Sequence, residues 1–396
     1  MPSFYEFFAG GGMARAGLGP AWNCLFANDF DDMKGQVYRN NWGENDLIVD
    51  DIANITTAQL PGAGDLAWAS SPCQDLSLAG AGGGLGLPDA EVMTRSGTFW
   101  RFIALMEQLK QESREPQLIV FENVTGAITS HEGRDFASIA GAFAGLGYRF
   151  GAVVIDAQLF VPQSRRRLFV IGVREDMNIP PALLALGRNP IWHPDSLVRA
   201  YNHLPDEIKR ENWVWWHLLP PPLRQQNFIH IIEDNPQGVT LHTPAETQNL
   251  LNLMSEVNQA KVAQAQCTGQ PMVGGVYRRM RSDTNGNKVQ RAEVRFDNVS
   301  GCLRTPSGGS SRQVILLVDG AQIQSRLLSP REGARLMGLP DDYVLPENYN
   351  DAYHLAGDGV AVPVVRYLAA NILEPILAAN VQAAQIIRPE LVEEAD

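Results

Sequence analysis

Over residues 4–173, short runs of consecutive apolar residues alternate with segments whose apolar positions recur at helical spacing. "SFYEFFAG" reads as a strand running into a glycine turn, and "MARAGLG" as the opening of a helix. "NCLFAND" and "DMKGQVYRNN" repeat the pair, and "LIVDDI" and "DLAWAS" follow as strands. "TFWRFIALMEQLKQ" predicts a helix, "PQLIVFENV" a strand ending in Glu122–Val124, and "FASIAGAFAGLGY" a helix closing on glycine. "RFGAVVIDA" and "RRLFVIGV" are the last two strands. Strand–helix alternation of this kind predicts an α/β fold with a mainly parallel, doubly wound sheet covered on both faces.

After Arg174 that rhythm is lost: prolines cluster at 180–181 and 220–222, and tryptophans appear at 192, 213, 215 and 216. These mark a smaller, irregular second domain at 175–325. Beyond it, "SPREGARLMGLP" carries a capping box, with Ser329 as N-cap, Pro330 at the first helical position and Glu332 at the third. "VPVVRYLAANILEPIL" predicts a helix that packs back onto the first domain. The expected division is therefore 1–174 completed by 326–381, a second domain at 175–325, and a frayed acidic tail at 382–396.

Composition narrows the class. The 396 residues are 45 % hydrophobic and 19 % charged, as in a globular protein. No apolar run approaches the roughly 20 residues needed to span a bilayer, and the N-terminus lacks the basic-then-apolar pattern of a leader. Cys24, Cys73, Cys267 and Cys302 are scattered, without ligand spacing, which argues against zinc or any other metal and against a disulfide framework. A reducing cytoplasm is the expected compartment. The net charge of −12 is unevenly spread: Gly274–Arg335 holds eleven basic and five acidic residues, a local charge of +6. Such segregation predicts a phosphate-binding face.

The candidate chemistry lies at strand ends, where ligands of open α/β sheets bind. Gly10, Gly11 and Gly12 form a turn into a helix N-terminus, which favours anionic groups. Asp29 ends the second strand, where an acid can hold ribose hydroxyls, and Asp51–Ile52 follows the third, suited to an adenine amino group and ring face. Together these describe an adenosine site without choosing the cofactor. Cys73 follows "DLAWAS" directly after Pro72 and ahead of Gly80, Gly82, Gly83, Gly84 and Gly86, an arrangement that suits a nucleophile with a closing lid. Glu122, behind Ile119, Val120 and Phe121, lies where burial raises a carboxyl pKa. Arg165 and Arg167 share one face of a strand start, as for clamping an anion or carbonyl. Taken singly, each admits a plainer role: a loop cysteine, a salt-bridged acid, a basic strand end.

Taken in order the set is specific. F-A-G-G-G, N-D, D-D-I, S-P-C-Q, F-E-N-V, Q-S-R-R-R, then R-L-L-S-P-R-E-G-A-R-L-M-G-L-P and G-D-G-V-A-V-P-V closely resemble the C5 cytosine DNA methyltransferases of bacterial and phage type. The resemblance spans essentially the whole chain apart from the middle of the second domain. It implies S-adenosylmethionine as cofactor, S-adenosylhomocysteine as product, and methyl transfer to C5 of a cytosine flipped out of a specific duplex DNA sequence. It puts the nucleophile that attacks C6 at Cys73, the contact to ring nitrogen N3 at Glu122, and orientation of base and loop at Arg165 and Arg167. Cofactor positions fall on Phe8, Ala9, Gly10, Gly11, Gly12, Asp29, Phe30, Asp51, Ile52, Pro72 and Asp358. DNA contacts fall on Gln74 and Ser77, with Arg278, Arg279 and Arg281 added from the basic stretch.

The chemistry needs these types. Cytosine C5 is a poor nucleophile until a thiolate adds at C6, and a free thiol, with a pKa of about 8.5, gains from nearby arginines. The base is unreachable inside a duplex and must be flipped out. Two departures stand out: Asp358 where the family usually has Asn, and Met13 where a further glycine is common. The expected setting is a stand-alone monomeric enzyme in the cytoplasm, associated with DNA and not with membranes. A cognate restriction endonuclease acting on the same site, or a solitary regulatory role, are both open. The alternatives are a transfer-RNA cytosine-5 methyltransferase on the same fold, a catalytically inactive DNA-binding homologue and a nicotinamide oxidoreductase.

Overall fold

The computed structural model of the protein describes residues 1–72, 76, 84–86, 97–282, 286–305 and 312–390. The chain forms two compact units: Met1–Asp156 with Arg166–Pro221 and Val364–Asp396, and Ala157–Arg165 with Pro222–Pro363.

The first unit is built on a seven-stranded sheet. Its strands are β1 (Ser3–Phe7), β2 (Asn23–Asp29), β3 (Leu47–Val49), β4 (Leu66–Ser70), β5 (Leu118–Val124), β6 (Tyr148–Asp156) and β7 (Arg166–Arg174), in the order β3-β2-β1-β4-β5-β7-β6. The pairs from β3 to β5 are parallel, and β7 runs antiparallel to both its neighbours. The connecting helices are α1 (Met13–Leu18), α2 (Asp32–Trp42), α3 (Thr98–Gln111) and α4 (Arg134–Gly145). The chain proceeds one way from β1 to β3 and the other way from β4 to β5. Right-handed crossovers therefore put α1 and α2 on one face and α3 on the other. The order reverses between β1 and β4, the switch point at whose carboxyl ends such sheets open a crevice. Local signals set the helix ends: the Asp31 carboxylate accepts the Lys34 N–H at 3.1 Å to start α2, and Gly43, at φ 86°, ends it. The core layer joins Phe7, Phe26, Ala69 and Phe121 of the strands to Phe99, Phe102 and Met106 of α3.

Residues 175–221 also belong to this unit, not to a second domain. They hold β8 (Leu184–Ala185), α5 (Asp195–Asn202), α6 (Asp206–Glu211) and β9 (Trp215–Trp216). Trp213, one of the tryptophans expected to mark a domain change, instead packs on the first sheet. Its ring lies 5.7 Å from Phe150 of β6 and 5.1 Å from Tyr201, and burial of such large apolar area decides where the segment sits.

The second unit contains α7 (Pro244–Asn252), α8 (Glu256–Gln266), β10 (Met272–Ser282), β11 (Lys288–Arg295), β12 (Val314–Asp319), β13 (Gln322–Leu327), α9 (Pro330–Leu336) and α10 (Tyr349–Asp358). Instead of the irregular arrangement expected, its strands form a four-stranded antiparallel sheet, β11-β10-β12-β13. Leu250, Met254, Val262 and Ala265 of the helices pack against Val276, Ala292, Val294 and Leu316 of the strands. Residues 326–363, expected to complete the first domain, cluster here. The buried Glu332 explains the capture of 326–332. Its carboxylate takes both arms of the Arg326 guanidinium at 2.6 and 2.7 Å and the Glu233 N–H at 2.9 Å, and completes the α9 capping box with Ser329.

The chain re-enters the first unit through α11 (Val362–Leu368) and α12 (Glu374–Glu390). Arg366 donates to the Leu18 carbonyl at 2.5 Å and Trp22 donates to the Glu374 carboxylate at 2.9 Å. The helix continues through most of the expected tail, and 391–396 lie outside the described residues. Among the described residues, one helical run, Tyr349–Ala383, is long and apolar enough to cross a membrane; 61 % of its most apolar window is buried in the fold.

Breaking a buried ion pair leaves an uncompensated charge and costs about 3–5 kcal/mol. Glu332→Ala is therefore expected to lower stability by about that much in equilibrium urea unfolding. A loss under about 1 kcal/mol would contradict this account of how 326–332 joins the second unit.

Candidate active site

The turn after β1 is shaped from below and behind. Phe8 at φ 58° and Gly10 at φ 56° reverse the chain, and the Ala9 N–H donates to the Asn28 carbonyl at 2.8 Å. Gly12 has φ 77°, and a Cβ there would lie 2.3 Å from Trp42 Nε1, so only glycine fits. That indole N–H donates to the Gly11 carbonyl at 2.9 Å. Beneath the turn, the buried Glu6 accepts the Arg15 N–H at 3.3 Å, capping α1 where Gly12 offers no side chain. Burial pushes the Glu6 carboxyl up to about 8, and its Oε2 has no hydrogen-bond partner among the described residues.

The ends of the next two strands join this turn. Asp29, buried at the end of β2, accepts the Gly10 N–H at 2.8 Å and the Asp31 N–H at 3.0 Å. Burial raises its pKa despite those bonds. The Asp50 N–H donates to the Asp29 carbonyl at 3.0 Å. Next to it, Asp51 is exposed and caps a short 3₁₀ turn by accepting the Ala53 N–H at 2.9 Å, while Ile52 is buried. Phe30 exposes 68 % of its surface directly after Asp29, an aromatic face open to a ligand. Phe8, Ala9, the three glycines, Asp29, Phe30, Asp51 and Ile52 thus sit on three hydrogen-bonded strand ends.

A second group gathers at β4, β5 and β7. Ser70 pairs with Glu122 in the parallel register of β4 and β5. The buried Asn123 amide donates to the Ser71 carbonyl at 3.2 Å and to its hydroxyl at 3.1 Å, and its oxygen accepts the Val124 N–H at 2.8 Å. This fixes the chain just before Pro72. Glu122 is buried and lies 3.3 Å from Arg167 Nε. The sequence assigned that arginine to base and loop; here it is also the counter-charge of the acid. The sequence suggests no role for Asn123 of F-E-N-V. Its one available signal was a polar residue closing an apolar strand. Cys73, Gln74 and Ser77 lie outside the described residues. Among the described cysteines, burial pushes the Cys24 thiol up to about 12, so it stays protonated and unreactive.

In the second unit, the buried Arg165 donates to the Leu303 carbonyl at 3.2 Å and to the Gly357 and Gly359 carbonyls at 2.8 and 2.6 Å. It precedes β7 instead of starting it, and what it clamps is backbone on either side of Asp358. The buried Gln163 amide donates to the Leu336 carbonyl at 2.8 Å and accepts the Leu303 N–H at 3.1 Å, a tie that sequence inspection missed. Asp358 closes α10 and pairs with His354 Nε2 at 2.9 Å. The +6 stretch is no single phosphate face. Arg326 is buried on Glu332, Arg335 pairs with Asp341 at 2.8 Å, and Arg331 donates to the Pro340 and Tyr343 carbonyls. Arg278, Arg279 and Arg281 lie on the outer half of β10.

A family model described as C-5 cytosine-specific DNA methylase matches residues 3–374. The chain belongs to this family. Its activity is DNA (cytosine-5) methyl transfer, and the methyl donor of the family is S-adenosylmethionine. The type II methyltransferase M.BsuFI of Bacillus subtilis is 25 % identical over 382 residues, covering 96 % of this chain and 74 % of that one. M.HhaI of Haemophilus parahaemolyticus is 26 % identical over 373 residues, 93 % of each chain. Among solved structures, the Entamoeba histolytica methyltransferase EhMeth aligns at a TM-score of 0.61 and 12 % identity, covering 95 % of this chain and 98 % of that one. The S. pombe Dnmt2 methyltransferase aligns at 0.56 and 16 %, covering 94 % and 98 %. These likenesses carry the fold. The strand ends fit the cofactor: among the described residues nothing lies within 4 Å of where a Gly10 Cβ would stand, the turn is anchored by Asp29, and Phe30 exposes 68 % of its surface. Among the described residues no group of three or more His, Cys, Asp or Glu side chains could hold a metal.

Glu6 yields a prediction with a definite sign. Its folded pKa of about 8 stands above its ordinary 4.5, so the folded state keeps a proton the unfolded chain has lost. Stability attributable to Glu6 is full below about pH 4.5 and is lost as pH rises through 8. Thermal unfolding of the wild type and Glu6→Gln across that window should show the wild type losing ground with rising pH; parallel curves would contradict a buried, protonated Glu6.

Proposed function

We propose that Cys73 is the nucleophile and Glu122 the acid of a methyl transfer to one cytosine of a specific duplex DNA sequence. The observation that carries this reading is the Asn123–Ser71 tie, which fixes the residues before Cys73 beside the strand end bearing the buried Glu122–Arg167 pair. The Cys73 thiolate forms a bond to C6 of a flipped-out cytosine, and the C5=C6 electron pair moves toward C5. Glu122 supports that shift at N3, by hydrogen bond or proton, and Arg167 holds the acid in place. S-adenosylmethionine supplies an electrophilic methyl group when bound. Removal of the C5 proton and departure of the thiolate then restore the C5=C6 bond.

The cofactor site comprises Phe8, Ala9, Gly10, Gly11, Gly12, Asp29, Phe30, Asp51, Ile52 and Pro72, with Asp358 included on the resemblance alone. Arg165 is a positioning residue: it holds the Gly357–Gly359 backbone that carries Asp358. Gln74 and Ser77 serve near the DNA, and Arg278, Arg279 and Arg281 contact it from a target-recognition domain within 175–325. The protein acts as a monomer in the cytoplasm, on the nucleoid, and a cognate restriction endonuclease cutting the same sequence completes a restriction–modification pair.

Kinetics test the assignment. Cys73→Ser should lose methyl transfer to duplex DNA entirely while binding S-adenosylmethionine as the wild type does. Glu122→Gln should slow turnover about a hundredfold or more, within the range of acid–base contributions, and change DNA affinity far less. Near-wild-type turnover in either variant means that the role belongs to another residue.

A further inference from the structure

Among the described residues, the outer half of β10 pairs with β11 alone. Pairing with β12 stops at Val276, while pairing with β11 continues to Ser282, so Tyr277–Ser282 and Lys288–Glu293 form a two-stranded ribbon. Side chains alternate across such a ribbon. One face carries Val276, Arg278, Met280, Gln290, Ala292 and Val294, and three of these, Val276, Ala292 and Val294, lie in the hydrophobic core. The opposite face carries Tyr277, Arg279 and Arg281 across from Glu293, Arg291 and Val289. The three candidate DNA arginines therefore divide: Arg279 and Arg281 share a face that Arg278 does not.

That charged face is built, not loose. A Cβ on Gly301 would stand 1.8 Å from the Tyr277 hydroxyl, so the tyrosine rests against bare backbone. The Arg279 guanidinium lies 5.4 Å from the centre of the Tyr277 ring. Glu293 pairs with Arg281, whose Nε is 2.7 Å away, and with Arg279 at 3.7 Å. Arg279 stands directly opposite Arg291, an arrangement that like charges disfavour. Among the described residues, three arginines share this face with one carboxylate, on an element whose shape fits the major groove of B-DNA.

We infer that this face reads base identity in the major groove, with Arg279, Arg281 and Glu293 as specificity-determining residues for a G·C pair. The inference rests on the reading of the protein as a DNA cytosine methyltransferase. A patch built only to hold phosphates gains nothing from a carboxylate at its centre, which repels the backbone. Base reading uses it. An arginine fork matches guanine O6 and N7, and a carboxylate accepts from the cytosine amino group. Glu293 also holds two arginines in place before binding and penalises DNA whose bases cannot replace it. Arg278 lies on the opposite face, with the core residues Val276, Ala292 and Val294, and takes no part in this reading.

The test compares kcat/KM for methyl transfer on the cognate duplex with that on duplexes changed at one base pair. The wild-type site is first mapped by sequencing 5-methylcytosine in plasmid from expressing cells. Glu293→Gln and Arg279→Ala should each narrow the cognate-to-mismatch ratio about tenfold or more at one G·C position and at no other. Arg279→Lys should keep the wild-type salt dependence of DNA binding yet show the same narrowing, because it retains charge and loses the fork. Arg278→Ala, on the opposite face, should leave the cognate-to-mismatch ratios at their wild-type values. Wild-type ratios in all the Glu293 and Arg279 variants overturn the ribbon assignment alone. No methyl transfer to any DNA by the wild type overturns it together with the enzymatic reading on which it rests.

Discussion

The Asn123 side-chain amide bridges the carboxyl ends of two parallel strands, and the geometry of the catalytic candidates in the first unit depends on that bridge. A parallel pair ends with unsatisfied backbone groups pointing into the crevice. Asn123 satisfies one of them, the Ser71 carbonyl, and takes the Ser71 hydroxyl as well. Its own oxygen is engaged by the Val124 N–H, so the amide has one orientation and no slack. The chain leaving β4 is thereby held at Ser71, next to Pro72, whose ring fixes its own φ. Glu122, one residue before the bridge, is paired in register with Ser70.

Within each unit the protein sets buried charges against partners. Glu122 faces Arg167, Arg326 faces Glu332, and Arg165 is surrounded by carbonyl oxygens. The three solutions serve different ends. Arg326–Glu332 closes on itself and on the Glu233 N–H, which serves the fold. Arg165 organises backbone on both sides of Asp358. Glu122 lies 3.3 Å from Arg167 Nε, and Arg167 also donates to the Arg166 carbonyl at 2.9 Å, so the acid of the site is held by a neighbouring strand.

Strand ends were legible in the sequence because buried parallel strands are written as unbroken apolar runs and stop where a polar residue appears. "TFWRFIALMEQLKQ" corresponds to α3 residue for residue, and "PQLIVFENV" contains β5, which starts two residues later at Leu118 and ends at Val124 as expected. The family resemblance was legible for the same reason: its motifs sit at those ends. What stayed hidden depends on partners distant in the chain. Nothing local says that Trp213 packs on Phe150, which draws 175–221 into the first unit. Nothing local says that Arg326 is buried while Arg279 is exposed, since both sit among basic neighbours in the same +6 stretch. The β10–β11 ribbon escaped notice because its outer half has no apolar periodicity; two faces became visible only with the register.

The proposed methyl transfer turns on a covalent bond between one sulfur, that of Cys73, and one carbon, cytosine C6. Fluorine at cytosine C5 blocks the last step, because no proton can leave from that carbon. Duplex DNA carrying 5-fluorocytosine at the methylated position, incubated with the protein and S-adenosylmethionine, should therefore give a denaturation-resistant complex. Peptide mapping by mass spectrometry should put the nucleotide on Cys73 and the methyl group on the trapped base. An adduct on Cys24, Cys267 or Cys302, or methylation of normal DNA with no trapped complex, would contradict the claim.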